Sequence, residues 1–205
     1  VSVANTFIDR GVIVSTEGNG ASEPARNATP GESMLGQTPV VVLINQGSAS
    51  ASEIVSGALR FYADKGDINA LVLGERSFGK GSVQNVWNLS PSSKMKLTTQ
   101  YYKLPDGRII HRKPGASKWG IDPHMIVSML PQQESDAIEL RQKADIMPID
   151  KDGNVATTDT DQPDPNKLVT DGLDVQLETA LVLLQGRAGE GQDQAARATP
   201  NTTPQ

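Results

Sequence analysis

The chain has 205 residues, of which 37% are hydrophobic, and it carries a formal net charge of −5. This composition predicts a globular protein with a buried core, and the length favours one compact domain plus loosely structured segments. The absence of cysteine excludes disulfides and thiolate metal sites, and the presence of only 2 histidines argues against a histidine zinc site. The negative net charge argues against a protein that binds nucleic acid phosphates.

The first elements are predicted to be the end of a helix, a strand and a long loop. Apolar residues recur at helical spacing from Val3 to Ile8, and a strand is expected from Gly11 to Ser15. The segment from Glu17 to Gln37 is polar and aperiodic, which predicts a surface loop. Because the chain opens at Val1 within an amphipathic pattern, we expect it to be a piece of a longer protein, and no segment approaches the ~20 apolar residues of a membrane span.

The next segment predicts a strand, a helix and a second strand. The β-branched run from Pro39 to Asn45 is typical of a strand buried on both faces of a parallel sheet. Apolar residues from Ile54 to Tyr62 share one helical face, and Ala70 to Gly74 reads as the next strand. This βαβ unit is expected to place a ligand site at the carboxyl ends of its strands.

Alternation with a period of two then predicts a β-rich region. The expected strands run from Val83 to Leu89, from Lys94 to Leu104, from Arg108 to His111 and from Ile126 to Leu130. The dipeptide Asp106-Gly107 predicts the turn before the third of these strands.

The carboxyl-terminal third predicts two helices separated by a linker. A short helix is expected from Asp136 to Lys143, and a loose linker from Pro148 to Pro165. A second helix is expected from Leu173 to Leu184 and should end at Gly186. The tail from Arg187 to Gln205 has almost no large apolar residue and is expected to be disordered.

The segment from Gly47 to Glu53, with the sequence GSASASE, joins the predicted buried strand to its helix. Its small residues allow a substrate backbone to approach, and the free N–H groups of the helix's first turn face the position of an anion or oxyanion. A simpler interpretation is that the serines only cap the helix.

The segment from Gly74 to Gly81, with the sequence GERSFGKG, nearly matches a phosphate-binding loop. Gly81 stands where that loop needs a hydroxyl for Mg²⁺, and the residues that follow alternate like a strand, so we interpret the match as accidental. Lys80 can instead serve as a base for a serine of the first segment, because burial favours the neutral form of a lysine. A solvated turn lysine is the simpler alternative.

Four motifs occur in a fixed order: SASASEI, SFGKGSVQ, LTTQYYKLPDGRII and WGIDP. Together they resemble the carboxy-terminal processing peptidases, also called tail-specific proteases, over residues 1–130. The resemblance implies that Ser50 is the nucleophile, Lys80 the general base and Gln84 the residue that orients the lysine. The even spacing from Lys80 to Gln84 predicts that both lie on one side of an extended strand.

The resemblance also implies a fold and an organisation. The expected fold is α/β, with a partial crotonase-like layered peptidase core in residues 1–130 whose β-rich extension begins at Val83. Beyond residue 130, where the resemblance ends, periodicity and composition predict a helical region with a loose linker in residues 131–186, followed by the disordered tail from residue 187. A peptide-recruiting PDZ domain and a glycine segment that completes the oxyanion hole would both precede Val1.

The implied activity is hydrolysis of peptide bonds near the carboxyl termini of unfolded or tail-exposed proteins, through an acyl-enzyme. The backbone N–H of Ala51 would donate one hydrogen bond to the oxyanion. No metal or organic cofactor is implied, and the protein would act outside the cytoplasm of a bacterium. We expect the isolated 205-residue chain to be inactive, because half of the oxyanion hole lies upstream.

Some features depart from the family or stay open. The 30-residue separation of Ser50 from Lys80 exceeds the usual one, and His124 stands where the family commonly has aspartate. His111 and His124 are interpreted as surface or strand residues. The basic segment 94–118 is either the solvated face of a hairpin or a surface for an acidic substrate. The alternative functions are a non-catalytic peptide-binding relative and, less favoured, a nucleotide hydrolase.

Overall fold

The computed structural model describes residues 1–18, 24–35, 37–146 and 163–198, with side chains described as far as residue 187. The chain forms two compact units, residues 1–126 and residues 127–205. The predicted boundary at residue 130 lies close to this division, whereas most of the predicted linker lies outside the described residues. Within the described ranges, no helix is both long and apolar enough to span a membrane.

The first unit contains two helices and seven strands among its described residues. They are α1 (Ser2–Asn5), β1 (Gly11–Gly18), β2 (Arg26–Ala28), β3 (Val40–Ile44), α2 (Ala51–Asp64), β4 (Ala70–Gly74), β5 (Ser82–Ser90), β6 (Ser93–Lys103) and β7 (Met125–Ile126).

The predicted βαβ unit is confirmed as β3, α2 and β4. The two strands run parallel in register from Val40 opposite Ala70 to Ile44 opposite Gly74. Helix α2 buries Ala58, Leu59 and Tyr62 in the core, as its apolar face predicts. The Tyr62 hydroxyl donates to the carbonyl of Val12 at 2.9 Å, which ties α2 to β1.

Strand β3 is less buried than the sequence predicts. Only Ile44 is fully buried, and the other four residues are partly exposed. In the described sheet, whose order is β3-β4-β7, β3 is the outer strand, so only one of its edges is paired. The expectation of burial on both faces was therefore wrong for this chain, because a run of apolar residues does not reveal where in a sheet its strand lies.

The second sheet is antiparallel, with the order β2-β1-β6-β5. The predicted hairpin strands are confirmed as β5 and β6. The predicted loop from Glu17 to Gln37 is wrong in part, since β1 extends to Gly18 and pairs with β6, and β2 pairs with β1. This polar segment gains its order from backbone pairing, which the side-chain pattern does not show.

Two predicted strands are shorter than expected. The segment from Arg108 to His111 forms only an isolated bridge between Ile109 and Lys103. The last strand is β7, which pairs with Leu73 and Gly74 and stops at Ile126 because β4 itself ends there. The apolar residues beyond it belong to the second unit.

The second unit contains α3 (Pro131–Asp145), α4 (Lys167–Thr170) and α5 (Val175–Ala198) among its described residues. The predicted first helix is confirmed and is longer than expected. Asp174 precedes α5, where it accepts the Leu177 N–H at 2.8 Å and pairs with Arg141. Because α5 continues past Gly186 to Ala198, the tail is helical over those residues, where the sequence predicted disorder. Alanine, arginine and glutamine favour helix even where no apolar face exists.

Candidate active site

The turn that follows β3 carries Ser50, the N-cap residue of α2. Its backbone has φ 57° and ψ −113°, and it is the one non-glycine residue with positive φ in the described part of the chain. Such a conformation costs about 1–3 kcal/mol and persists only where surrounding contacts impose it. The chain therefore holds Ser50 in a strained position at the carboxyl end of a core strand.

The turn that follows β4 carries Lys80 and reaches the first turn through its backbone. The Phe78 N–H donates to the carbonyl of Ser48 at 2.9 Å. Gly79 has φ +90°, and a Cβ there would lie 2.7 Å from Cδ1 of Trp119. Only glycine fits this position, which sets the path of the backbone immediately before Lys80.

A buried carboxylate joins the two turns. The Glu53 side chain is fully buried and accepts hydrogen bonds from the N–H groups of Ser50 (2.9 Å), Gly79 (2.6 Å) and Lys80 (2.8 Å), and from the hydroxyl of Ser77 (2.6 Å). We name these five residues the Glu53 junction. Four donors compensate the loss of water around the carboxylate, so the junction fixes both turns relative to one another.

The Glu53 junction is the feature that sequence reasoning missed. A glutamate three residues after a serine N-cap is the sequence signal of a capping box, which predicts its bond to the Ser50 N–H. The three bonds to the second turn have no local signal. The buried Ser77 hydroxyl also accepts the Ile121 N–H at 2.7 Å, which connects the junction to the WGIDP motif.

The structure brings the Ser50 and Lys80 turns together through the hydrogen bonds of their backbones to Glu53. No hydrogen bond joins Ser50 to the Lys80 side chain among the contacts of the described residues. The Lys80 residue is exposed. In the described chain the two turns are therefore joined, while the Lys80 side chain is not buried between them.

Gln84 lies in β5, which begins at Ser82, so Lys80 precedes this strand. The even spacing predicted one extended strand for both residues, and this was wrong because Lys80 lies in the turn before β5. The register of β5 with β6 shifts between Val83 and Gln84, where the extra residue is Thr99 of β6. Gln84 is exposed and makes no described contact with Lys80.

The backbone of Ala51 fits the role of a donor. Ala51 is the first residue of α2, so its N–H has no partner within the helix, and no acceptor for it lies among the described residues. A mostly apolar cavity of about 390 Å³ lies beside it, with Ile44, Ser48 and Val55 in its lining. Ala51 itself is part of the lining of this cavity.

The two histidines have structural surroundings. His124 accepts the Val72 N–H on Nδ1 at 2.8 Å, and its Nε2 lies 3.0 Å from an Asp64 carboxylate oxygen. It therefore links β4 to the end of α2, which accounts for a histidine at this position. The His111 ring packs on Tyr101, with ring centres 4.9 Å apart.

The chain is similar to known proteins in its sequence and in its fold. The profile of peptidase family S41 matches residues 1–127. The chain is 38% identical over 134 residues to a carboxy-terminal-processing protease of Bartonella bacilliformis, a match that covers 65% of this chain and 28% of that protein. It is 36% identical over 126 residues to the chloroplastic C-terminal processing peptidase of Tetradesmus obliquus, covering 62% and 26% of the two chains.

Among solved structures, the photosystem II D1 C-terminal processing protease matches with a TM-score of 0.53 and 35% identity, over 62% of this chain and 30% of that one. A putative S41 protease from Bacteroides fragilis has a TM-score of 0.52 at 12% identity, covers 90% of this chain and 40% of that one, and shows likeness of fold alone. The chain spans only 26–28% of the length of these two curated relatives.

Proposed function

The chain belongs to peptidase family S41, and from this membership we propose that the protein is a serine endopeptidase in which Ser50 and Lys80 form the catalytic pair. The observation that carries the proposal is the Glu53 junction, which holds the two turns by hydrogen bonds to the Ser50, Gly79 and Lys80 N–H groups. A buried link between these two turns is what a nucleophile and its base require, since small displacements cost large factors in rate.

In the proposed reaction, the Ser50 hydroxyl attacks the scissile carbonyl while neutral Lys80 accepts its proton. The N–H of Ala51 donates to the oxyanion, and the strained backbone of Ser50 presents the hydroxyl beyond the end of β3. Lys80 then returns the proton to the leaving amine, which leaves an acyl-enzyme on Ser50. Water, deprotonated by Lys80, releases the acyl group and restores the serine. We propose that Gln84 of β5 orients Lys80 in the whole protein.

The substrate that we propose is a polypeptide with an unfolded or exposed carboxyl-terminal tail. Its support is the similarity to relatives that are named for carboxy-terminal processing. The proposed whole protein has a crotonase-like layered catalytic domain and an upstream PDZ domain that recruits the tail. We propose that it acts outside the cytoplasm of a bacterium, which fractionation of cells carrying the tagged protein would test.

For the 205-residue chain alone we propose no measurable peptidase activity. The exposure of Lys80 supports this, because a lysine that acts as a base needs a buried site, and the described chain does not bury this side chain. The single described oxyanion donor also supports it, since losing one such donor costs about 10²–10³ in rate in a known serine protease. Cleavage of unfolded casein by this chain, abolished by Ser50→Ala, would contradict the proposal.

The test of the catalytic pair uses the full-length protein and fluorescently labelled unfolded casein. Ser50→Ala and Lys80→Arg should each lower the cleavage rate by about 10⁴-fold or more, because a guanidinium stays protonated and cannot act as a base. Ser52→Ala is the matched control, since Ser52 is exposed and its hydroxyl lies outside the junction. Its rate should stay within a few-fold of the wild type.

A fluorophosphonate probe followed by peptide mapping would identify the nucleophile directly. Label on Ser50 that disappears in Lys80→Arg supports the pair. Circular dichroism of each variant separates a lost reaction from a lost fold. Normal cleavage by a folded Ser50→Ala variant would assign the reaction to another residue.

A further inference from the structure

The basic segment 94–118 remains without a role in the proposed reaction. It holds seven basic residues and one acidic residue in a chain whose net charge is −5. Two of these cations have carboxylate partners: Lys103 lies 2.7 Å from Glu17, and Arg108 lies 3.6 Å from Asp106. The segment therefore keeps a local excess of positive charge after its internal pairs are formed.

Arg112 connects this excess of charge to the catalytic turns. Its N–H donates to the carbonyl of Gly79 at 2.9 Å, one residue before Lys80. Its guanidinium carbon lies 4.6 Å from the centre of the Trp119 ring, which itself packs on Gly79. Arg112 is exposed and has no carboxylate partner within the described residues.

Arg76 contacts the same Trp119 ring as Arg112 and, unlike Arg112, has a carboxylate partner among the described residues. Its guanidinium carbon lies 4.5 Å from the Trp119 ring centre, and its Nε lies 2.5 Å from the carboxylate of Asp122. Two guanidinium groups thus lie against one ring, and within the described residues only Arg76 has a carboxylate partner. The Arg112 guanidinium keeps its charge without a described carboxylate beside it.

Contact with the Trp119 ring prepares Arg112 for this task. A guanidinium that rests on an aromatic ring has lost part of its side-chain freedom before any ligand arrives, so less entropy is lost on binding. Its planar N–H groups match the two oxygens of a carboxylate. The exposed position beside the Lys80 turn leaves the outer side of the group open to a substrate.

From this geometry we propose that Arg112 binds a carboxylate of the polypeptide substrate, on the carboxyl-terminal side of the scissile bond. The side follows from the proposed function, on which this inference rests: Lys80 returns its proton to the leaving amine, and Arg112 is anchored to the residue before Lys80. The carboxylate belongs either to the chain terminus or to an acidic side chain shortly after the cleaved bond. Arg112 is thus a specificity-determining residue.

The experiment begins with the full-length protein and a peptide that spans a cleavage site mapped in unfolded casein by mass spectrometry. Three forms of the peptide are compared: a free carboxyl terminus, an amidated terminus, and an amidated terminus with one aspartate placed after the cleaved bond. Wild-type kcat/KM should be higher for the form that carries the recognised carboxylate. The difference between the first and third forms identifies the source of that carboxylate.

Arg112→Gln should lower kcat/KM for the preferred peptide by about 10–100-fold, mainly through KM, and leave the uncharged amide peptide unchanged. Arg112→Lys should recover part of the loss, because lysine restores the positive charge without the paired N–H groups that bind both oxygens of a carboxylate. Lys96→Gln is the control, since it removes the same charge from an exposed position on β6. An equal loss on all three peptides would indicate a structural role for Arg112, and no loss on any would overturn the proposal.

A binding measurement separates this inference from the proposed function. Anisotropy of the same labelled peptides on the Ser50→Ala protein needs no turnover. Arg112→Gln in that background should weaken binding of the carboxylate peptide by a similar factor and leave the amide peptide unchanged. If Ser50→Ala does not abolish cleavage, the catalytic assignment is wrong. Equal affinity for the charged and uncharged peptides would instead contradict only the proposed role of Arg112.

Discussion

Two regions of the first unit flank Lys80 and are built in opposite ways. On one side, the Glu53 junction consists of polar groups, with Glu53 fully buried and Ser77 2% exposed. On the other, the ribbon formed by β5 and β6 exposes large apolar side chains, with 64% of Leu89 and 53% of Leu97 open to solvent. Buried hydrogen bonds, rather than apolar packing, therefore fix the geometry of the candidate site.

The ribbon shows why its apolar residues contribute little by themselves. Trp87 lies opposite Met95, and Asn85 lies opposite Leu97, so these side chains share one face. The Asn85 side chain donates to the Thr99 hydroxyl at 2.9 Å on that same face. A two-stranded ribbon without a covering layer is marginally stable, so its order depends on the pairing of β6 with β1.

The largest expected effect follows from removing the centre of the junction. Glu53→Ala leaves four donors without their acceptor, two of them in buried and two in partly buried hydrogen bonds, which should lower the free energy of unfolding by at least about 3 kcal/mol. The full-length variant should also lose peptidase activity, because the two turns are no longer joined. Chemical denaturation and casein cleavage measure the two effects.

The variant Glu53→Gln tests whether the carboxylate itself is needed. The amide keeps one acceptor oxygen but turns an NH₂ group toward donors, so its stability should fall between those of the wild type and Glu53→Ala. An unfolding free energy within about 0.5 kcal/mol of the wild type for Glu53→Ala would show that the junction does not hold the turns.

The second expected effect concerns the backbone of the junction. Gly79→Ala forces a Cβ to within 2.7 Å of Trp119 at φ +90°, so strain and overpacking add. We expect a loss of about 2–4 kcal/mol in the free energy of unfolding. Gly107→Ala is the matched control, because Gly107 has φ +82° with open space around the same atom. It should cost about 1 kcal/mol, and equal costs would contradict the packing against Trp119.

A third prediction tests the ribbon with a pair of leucines. Leu97→Ala should change the free energy of unfolding by no more than about 0.5 kcal/mol, because more than half of this side chain is exposed. Leu59→Ala removes a side chain that is 1% exposed in the core and should cost about 2–5 kcal/mol. A large cost for Leu97→Ala would mean that another part of the protein covers the ribbon.

Periodicity in the sequence was sufficient for the parts of the fold that depend on local pattern. The β3, α2 and β4 unit was predicted because continuous and helical apolar spacing mark such elements, and the rule for parallel sheets then placed the Ser50 and Lys80 turns at one edge. The β5–β6 hairpin followed from alternation. These features need no knowledge of distant residues.

The remaining features depend on contacts between distant segments. The pairing of β2 with β1, the outer position of β3 and the three bonds from Glu53 to the second turn each join residues far apart in the chain. The bulge before Gln84 shifts one residue of register without a glycine to mark it. The sequence motifs therefore named candidate residues for the site and could not supply their geometry.

The smallest expected effect lies at the base of the ribbon, where Glu17 of β1 pairs with Lys103 of β6 at 2.7 Å. The hydrogen bond from Lys103, together with its charge, lowers the pKa of Glu17 below its ordinary value of 4.5. A carboxyl whose pKa is lower in the folded state stabilises the fold above that ordinary value and loses this contribution as the pH falls through the folded pKa. Glu17→Gln should therefore lower Tm slightly at pH 7 and leave it unchanged near pH 2, and salt should shrink the difference at pH 7.

The matched control for this pair is Glu139→Gln, because Glu139 of α3 lies 2.6 Å from Lys143 and its pKa is lowered by the same cause. Both pairs are exposed, so both substitutions should have the same small cost over the same pH range. If Glu17→Gln costs much more than Glu139→Gln at pH 7, the ion pair holds the ribbon to β1. A cost that persists at pH 2, where the carboxyl is protonated, would show that the loss does not come from the ion pair. If the two costs are equal, the backbone hydrogen bonds between β1 and β6 hold the ribbon in place. The side chains of the ribbon are then not needed for its stability and are available to contact a partner.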